Sequence, residues 1–362
     1  MAAATILRMI ELRSDVKTRP SAGMRAAMAG AEVGDDHLGE DPTVNELERR
    51  GAVLLGQEAC LFLPSATMAN QIALRILSRP GEELIGEETS HVFISEQGGP
   101  AVHSQLVCRG LPGRLGRISG DQLRAAVRPD RPQYYPRSRV VVIENTHNSA
   151  GGTVWPLAEL HDVVETAREL GLSLHLDGSR IFNAAVALAV PVADLAGPFD
   201  LVTVCLSKGL GCPLGALLAG PAGLIADARR AKHLFGGATR QAGIVAAAGL
   251  YALDHNVARL ADDHRRARRL GEALAAAGVP IDLARVETNF VQIDVAPFGL
   301  TGAEGVERLA AAGVGVTGTI FPTVVRAVTH LDLTDDDIEQ AARLIPQALG
   351  VAGAGSRAVA RG

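Results

Sequence analysis

Two short apolar runs, each ending in an ionisable residue, constrain the fold of this chain more than any other feature. Leu172-Ser173-Leu174-His175-Leu176 leads into Asp177-Gly178-Ser179-Arg180, and Leu201-Val202-Thr203-Val204-Cys205-Leu206 leads into Ser207-Lys208-Gly209. Runs of this length and content suit buried strands of a parallel sheet. Ahead of the first run, residues 156–170 place Leu157, Leu160, Val163, Val164, Ala167 and Leu170 on one helical face, and Val140-Val141-Val142-Ile143 reads as another buried strand. Strand, helix, strand is a βαβ unit, so the chain is predicted to be α/β with a mostly parallel sheet. Ligands bind such sheets outside the carboxyl ends of the strands. Asp177 and Lys208 are therefore predicted to face one crevice, with His147 on the same sheet edge.

An acid and a lysine meeting there suggest pyridoxal phosphate. A buried carboxylate such as Asp177 favours the protonated pyridine nitrogen that lets the ring accept electrons. The cofactor aldehyde needs an amine, and a lysine desolvated in a cleft, or set near other positive charge, can supply a Schiff-base nitrogen. Alone, an Asp-Gly after a strand is an ordinary turn and a Lys-Gly an ordinary helix end. The pair carries the signal.

A seat for the phosphate is expected at Pro64-Ser65-Ala66-Thr67, between a strand at Ala59–Leu63 and a helix. The free N–H groups and positive dipole end of a helix N-terminus suit an anion, although Ser65 or Thr67 could equally be no more than a cap. Other signals fall away. Gly209-Leu210-Gly211-Cys212-Pro213-Leu214-Gly215 lacks G-x-G-x-x-G spacing and contains a proline, which excludes a dinucleotide loop. The acids of residues 32–43 lack calcium-loop order and read as capping or solvated carboxylates. Cys60, Cys108, Cys205 and Cys212 show no C-x-x-C spacing, so neither zinc nor a disulfide framework is expected, and a reducing cytoplasm is the simplest setting. No metal is expected. A net charge of −5 gives no footprint for nucleic acid, and Arg265-Arg266-Ala267-Arg268-Arg269 reads as a solvated helix face. No apolar run reaches the ~20 residues of a membrane helix.

His175-Leu176-Asp177-Gly178-Ser179-Arg180-Ile181-Phe182-Asn183, taken with Cys205-Leu206-Ser207-Lys208-Gly209-Leu210-Gly211, resembles the low-specificity L-threonine aldolases. The likeness runs from Met9 to about Leu349 through several separate motifs. It implies the aspartate aminotransferase fold, the fold type I of pyridoxal-phosphate enzymes, with a large α/β domain and a smaller C-terminal α+β domain. It also implies cleavage of threonine or allo-threonine to glycine and acetaldehyde, pyridoxal 5'-phosphate as cofactor, and a homotetramer. Within the motifs, Lys208 would carry the cofactor, His91 would stack on its pyridine face, and Arg240 would help hold the phosphate with Ser65, Ala66 and Thr67. Ser14, Arg180 and Arg326 would meet the substrate carboxylate, Arg180 also lying against the cofactor, and His147 would lie near the substrate side chain. The β-hydroxyl proton would go to His91 or to a water held by His147. The sequence departs from the family pattern at His37-Leu38, at Ala66 and at Ala238-Thr239.

The large domain is placed at residues 1–250, including the N-terminal segment, and the smaller one at 251–362. The latter opens with a charged helix from about Leu250 through Leu274 and ends in a frayed tail from Val351. The first eight residues are expected to carry no function. Two rival readings are a transaminase or β-eliminating lyase on the same fold, and a non-catalytic protein that retains it.

Overall fold

The computed structural model describes residues 8–129, 131 and 133–351; the expected frayed tail from residue 352 onward lies outside them. In chain order the strands are β1 (Ile10–Glu11), β2 (Ala59–Leu63), β3 (Glu83–Glu87), β4 (Val107–Leu111), β5 (Ser138–Glu144) and β6 (Ser173–Gly178). They continue with β7 (Leu201–Cys205), β8 (Ala216–Gly220), β9 (Phe290–Asp294), β10 (Val314–Gly315), β11 (Thr317–Gly318) and β12 (Val324–Val328). The chain divides into two compact units, Arg19–Ala258 and the remainder, in which residues up to Thr18 join those from Arg259 onward.

The Arg19–Ala258 unit is built on a seven-stranded sheet of order β2-β8-β7-β6-β5-β3-β4. Strand β8 runs against its neighbours β2 and β7, and every other pairing is parallel. Every residue of β3, β7 and β8 is buried, which accounts for sequences that do not alternate polar with apolar. The direction of β8 follows from the short connection before it, because a parallel return needs a crossover too long for that loop. The loop closes at Gly215, whose φ of +117° and close approach to Phe62, 2.8 Å from an added Cβ, leave room only for glycine.

Helix Ala66–Leu77 packs its Ala69, Ile72, Ala73, Leu74 and Leu77 into the core formed with Leu61, Leu63, Leu84, Val140, Leu201 and Leu218. A fully buried leucine of this kind contributes about 1.5–3 kcal/mol. Helix Leu157–Glu169 joins β5 to the parallel β6, burying Leu160, Val163, Val164 and Ala167 as the periodicity predicts. Chain direction and burial together deliver Glu87, Glu144 and Asp177 to one sheet edge, with Lys208 three residues beyond β7.

The second unit has an antiparallel sheet of order β11-β12-β9, and a separate parallel pairing of β1 with β10. Leu270, Leu274, Ile293, Val325, Ile338 and Ile345 are among its core residues. Capping boxes start helices Gly302–Ala311 and Asp335–Ala348, at Thr301 with Glu304 and at Thr334 with Asp337. Arg265, Arg266, Arg268 and Arg269 each pair with a carboxylate, so the run is an ion-paired helix face.

Two expectations about organisation differ from what is observed. The N-terminal segment was expected with the large domain, but Leu12 N donates to Gly315 O and Val328 N donates to Leu12 O, at 2.8 Å each, which stitches it into the second unit. The charged helix expected from about Leu250 is two helices, Gly243–His255 and Leu260–Ala276. The break falls where Asn256 turns its side chain to donate to Leu210 O at 2.7 Å. The unit boundary accordingly falls after Ala258. Among the described residues no helix is long and apolar enough to cross a membrane.

Candidate active site

Asp177 sits at the end of β6, in register between Glu144 of β5 and Thr203 of β7. It is 1% exposed, and burial alone would raise its pKa. The charges of His91 and Lys208, with the hydrogen bond from Ser179, more than offset this and hold the carboxyl below its ordinary range. Ser179 N donates to Oδ1 at 3.1 Å and Asn70 Nδ2 donates to Oδ2 at 2.9 Å. A carboxylate kept ionised in a buried position, with Lys208 close enough to act on it, is the arrangement the two strand ends predict.

Asn70 is a junction. Its amide nitrogen also donates to Glu96 Oε1 at 2.8 Å, while its oxygen faces His175 Nε2 at 3.0 Å. His175 is fully enclosed, and burial pushes its pKa down to about 4, so the ring is neutral at neutral pH. Its Nδ1 lies 3.1 Å from Leu201 O, so both ring nitrogens face acceptors and the one proton of the neutral ring is donated to one of them. Glu96 accepts again from Gln71 Nε2 at 2.6 Å and meets His91 Nδ1 at 2.8 Å.

His91 opens the four-residue helix His91–Ile94, and its backbone N donates to Glu144 Oε2 at 2.7 Å. Burial lowers its pKa, but the hydrogen bond to Glu96 and the charges of Asp177, Glu144 and Glu96 together raise it above the ordinary value. His147 lies deeper, with no exposed surface. Its Nε2 is 3.1 Å from Glu87 Oε2 and 3.7 Å from Glu144 Oε2, and its Nδ1 accepts from Ala150 N at 3.3 Å. Gly116, with φ +76°, lies over this ring: an added Cβ would come within 2.2 Å of it.

The other candidate residues of the unit have partners of their own. Ser65 caps helix Ala66–Leu77, its hydroxyl accepting from Met68 N at 3.2 Å, so the N–H groups of Ala66 and Thr67 have no partner within the helix. Asn70, which donates to Asp177, is one helical turn on, about 6 Å along the axis from Ala66. Ala66 is not among the residues with positive φ, so its methyl brings no backbone strain. Arg180 is 5% exposed, with Nη1 3.4 Å from Asn148 Oδ1. Arg240 pairs with Asp35 at 2.9 Å and lines a cavity of about 490 Å³ with Pro64, Leu214 and Lys232. His37 meets His233 edge-on, ring centres 4.0 Å apart. Ser14 and Arg326 belong to the other unit, where Ser14 accepts from Val16 N at 3.3 Å and Arg326 lies over the ring of Phe290 at 5.3 Å.

Residues 11–297 match the model of the beta-eliminating lyase family. The low specificity L-threonine aldolase of Escherichia coli K12 is 41% identical over 336 residues, 92% of this chain and 97% of that one. The chain belongs to the beta-eliminating lyases, among the low-specificity L-threonine aldolases. Solved structures show the same fold at lower identity. A threonine aldolase from Leishmania major matches with a TM-score of 0.81 at 18% identity, covering 94% of this chain and 99% of that one. Thermus thermophilus aspartate aminotransferase matches at 0.70 and 15%, covering 96% and 97%.

Several residues at the centre of this threonine aldolase family member escape sequence reasoning. Asn70 carries a usable signal, since it falls one turn after a helix start and so shares a face with Ala66. Glu96, in Ser95-Glu96-Gln97-Gly98-Gly99, has the composition of an exposed turn and gives none. Glu144 and His175 lie on predicted strands or at their ends, where burial beside a titratable partner is not readable from the local pattern, and Glu87 ends a strand, β3, that was not predicted.

Proposed function

We propose that this protein cleaves L-threonine, L-allo-threonine and related β-hydroxy-α-amino acids to glycine and an aldehyde, using pyridoxal 5'-phosphate. The observation that carries this is the buried, ionised Asp177, within electrostatic reach of Lys208 and hydrogen-bonded to Asn70, which lies one turn into helix Ala66–Leu77. The residues fit the cofactor. Asp177 would hold the ring nitrogen, Lys208 the aldehyde carbon, His91 a ring face, and the N-terminal amides at Ser65, Ala66 and Thr67 the phosphate. When bound, the cofactor supplies an electron sink conjugated to the substrate α-carbon.

The chain's own side chains do the rest. Asp177, unable to shed its charge into water, keeps the sink electron-poor. Arg180 presents a planar fork suited to the substrate carboxylate, which orients the bond to be broken. His91 accepts the β-hydroxyl proton at Nε2; as that proton leaves, the oxygen forms the aldehyde carbonyl and the Cα–Cβ pair stays with the α-carbon, which is then protonated to glycine. His91 is preferred over His147 because its side chain is 27% exposed while that of His147 is 0% exposed.

The test is incubation of purified protein with threonine in the presence of the cofactor, with assays for glycine and acetaldehyde and for 2-keto acid. Equal glycine and acetaldehyde are expected, with no turnover by Lys208→Ala. Keto acid as the main product would replace this reading with a β-eliminating or transaminating one. A borohydride-reduced adduct mapped to another lysine would remove Lys208.

A further inference from the structure

The buried carboxylate of Glu96 is assigned no role by the function above. Its side chain has no exposed surface, yet it has three donors around it: His91 Nδ1, Asn70 Nδ2 and Gln71 Nε2. Asn70 and Gln71 are adjacent on helix Ala66–Leu77 and would by themselves satisfy a structural acid. The imidazole contact adds a third partner, setting Nδ1 of a side chain that is 27% exposed against a carboxylate with no exposed side-chain surface. The oxygens of Glu96 and Asp177 and a nitrogen of His91 all lie within 4.8 Å of one another, the spacing of a cation cage. The Asn70 amide already stands between the two carboxylates and donates to both, so the group is a hydrogen-bonded chain.

We propose that Glu96 is a positioning residue that holds Nδ1–H of His91 and so presents Nε2 as the proton-accepting atom, with Asn70 tying this pair to Asp177. The proposal rests on the threonine-cleaving function above. An ionised carboxylate only accepts, so the neutral His91 ring must carry its proton on Nδ1 and its lone pair on Nε2. The backbone N of His91 is anchored by Glu144, so carboxylates fix the residue at both ends. The imidazolium that forms when the substrate proton arrives is stabilised by three charges, those of Glu96, Asp177 and Glu144, from three different elements. The shared Asn70 amide gives the proton acceptor and the ring-nitrogen partner a common support. The loss of either carboxylate's charge is therefore felt at the other.

The experiment is an NMR titration of the His91 imidazole in cofactor-free full-length protein. Wild type, Glu96→Gln and Glu96→Asp are compared, and the signal is assigned by its loss in His91→Asn. Removing an opposed charge at hydrogen-bond distance should lower the His91 titration by roughly 1 unit or more in the Gln protein, and by less in the Asp protein. In loaded enzyme the acid limb of kcat/KM should move to lower pH in the same order. The plateau of kcat should fall about a hundredfold while KM for threonine stays near its starting value. An unmoved His91 titration in folded Glu96→Gln overturns the proposal, as does a profile that falls uniformly without displacement of its limb. Should the Gln protein not fold, the Asp protein carries the same readout, and an unmoved titration there is equally decisive. If wild type does not cleave threonine, the assigned reaction fails, while the titration still decides the Glu96–His91 pairing.

Discussion

Replacing Asn70 by alanine should be among the more damaging single changes to the Arg19–Ala258 unit, although it removes only a small polar group. The amide donates to Glu96 at 2.8 Å and to Asp177 at 2.9 Å, both buried, and faces His175 at 3.0 Å. A hydrogen bond to a charged group is worth about 1.5–3 kcal/mol, so losing the two carboxylate bonds should cost roughly 3–6 kcal/mol, less whatever rearrangement recovers. For a unit of this size each kcal/mol moves the melting midpoint by about 2–4 °C, which predicts a fall of roughly 6–24 °C. The assay is calorimetry of cofactor-free protein at pH 8, where the carboxylates are charged and the deficit is largest. The control is Gln71→Ala, one residue along the same helix, which loses one bond to Glu96 of 2.6 Å and should show about half the effect. If Asn70→Ala melts no lower than Gln71→Ala, Asn70 is not the junction described.

Two further outcomes follow from the same centre. His175 titrates at about 4 when folded, against an ordinary 6.5. The unfolded chain therefore binds a proton that the folded one refuses, and stability of about 3 kcal/mol, fully present above 6.5, should be lost as pH falls toward 4. Guanidinium unfolding of wild type and His175→Gln from pH 7.5 to 4.5 should show a shallower loss in the variant, and parallel curves would exclude His175 as the source. Arg180→Lys keeps a charge at a site 5% exposed but loses the planar fork, and should lower kcat/KM for threonine about ten- to a hundredfold. Unchanged kinetics would take Arg180 off the substrate carboxylate.

The sheet edge was legible because its strands announce themselves. Leu201, Val202, Val204 and Cys205 of β7 are apolar without regular alternation, and the residues that follow such runs in a parallel sheet must emerge on one side. The helix before Asp177 was legible from periodicity, and its ends fell within a residue of expectation. What could not be read is what joins distant segments. Glu96 and His91 meet only because a short helix folds back, and Asn70 reaches Asp177 across 107 positions of sequence. The depth of His147 is likewise set by Gly116, on a turn that its own motif does not mention. Acids of the loop 32–43 were read as capping by default, and two of them are: Asp35 and Asp41 cap the segments that follow them. Asp36 instead forms a buried ion pair with Lys232 at 2.6 Å, a partner nearly two hundred residues away that no local pattern names.

The pairing of β1 with β10 has a consequence for how the molecule comes into being on the ribosome. Ile10 and Glu11 emerge well before their strand partners, Val314 and Gly315, which follow about three hundred residues later. At about 5–20 residues per second, the leading strand waits some fifteen seconds to a minute for its place. Arg19–Ala258, by contrast, is a continuous stretch that holds all seven strands of its sheet and can complete itself during that interval. The second unit can close only after residues from Arg259 onward have been made, and it does so around a segment synthesised well before them.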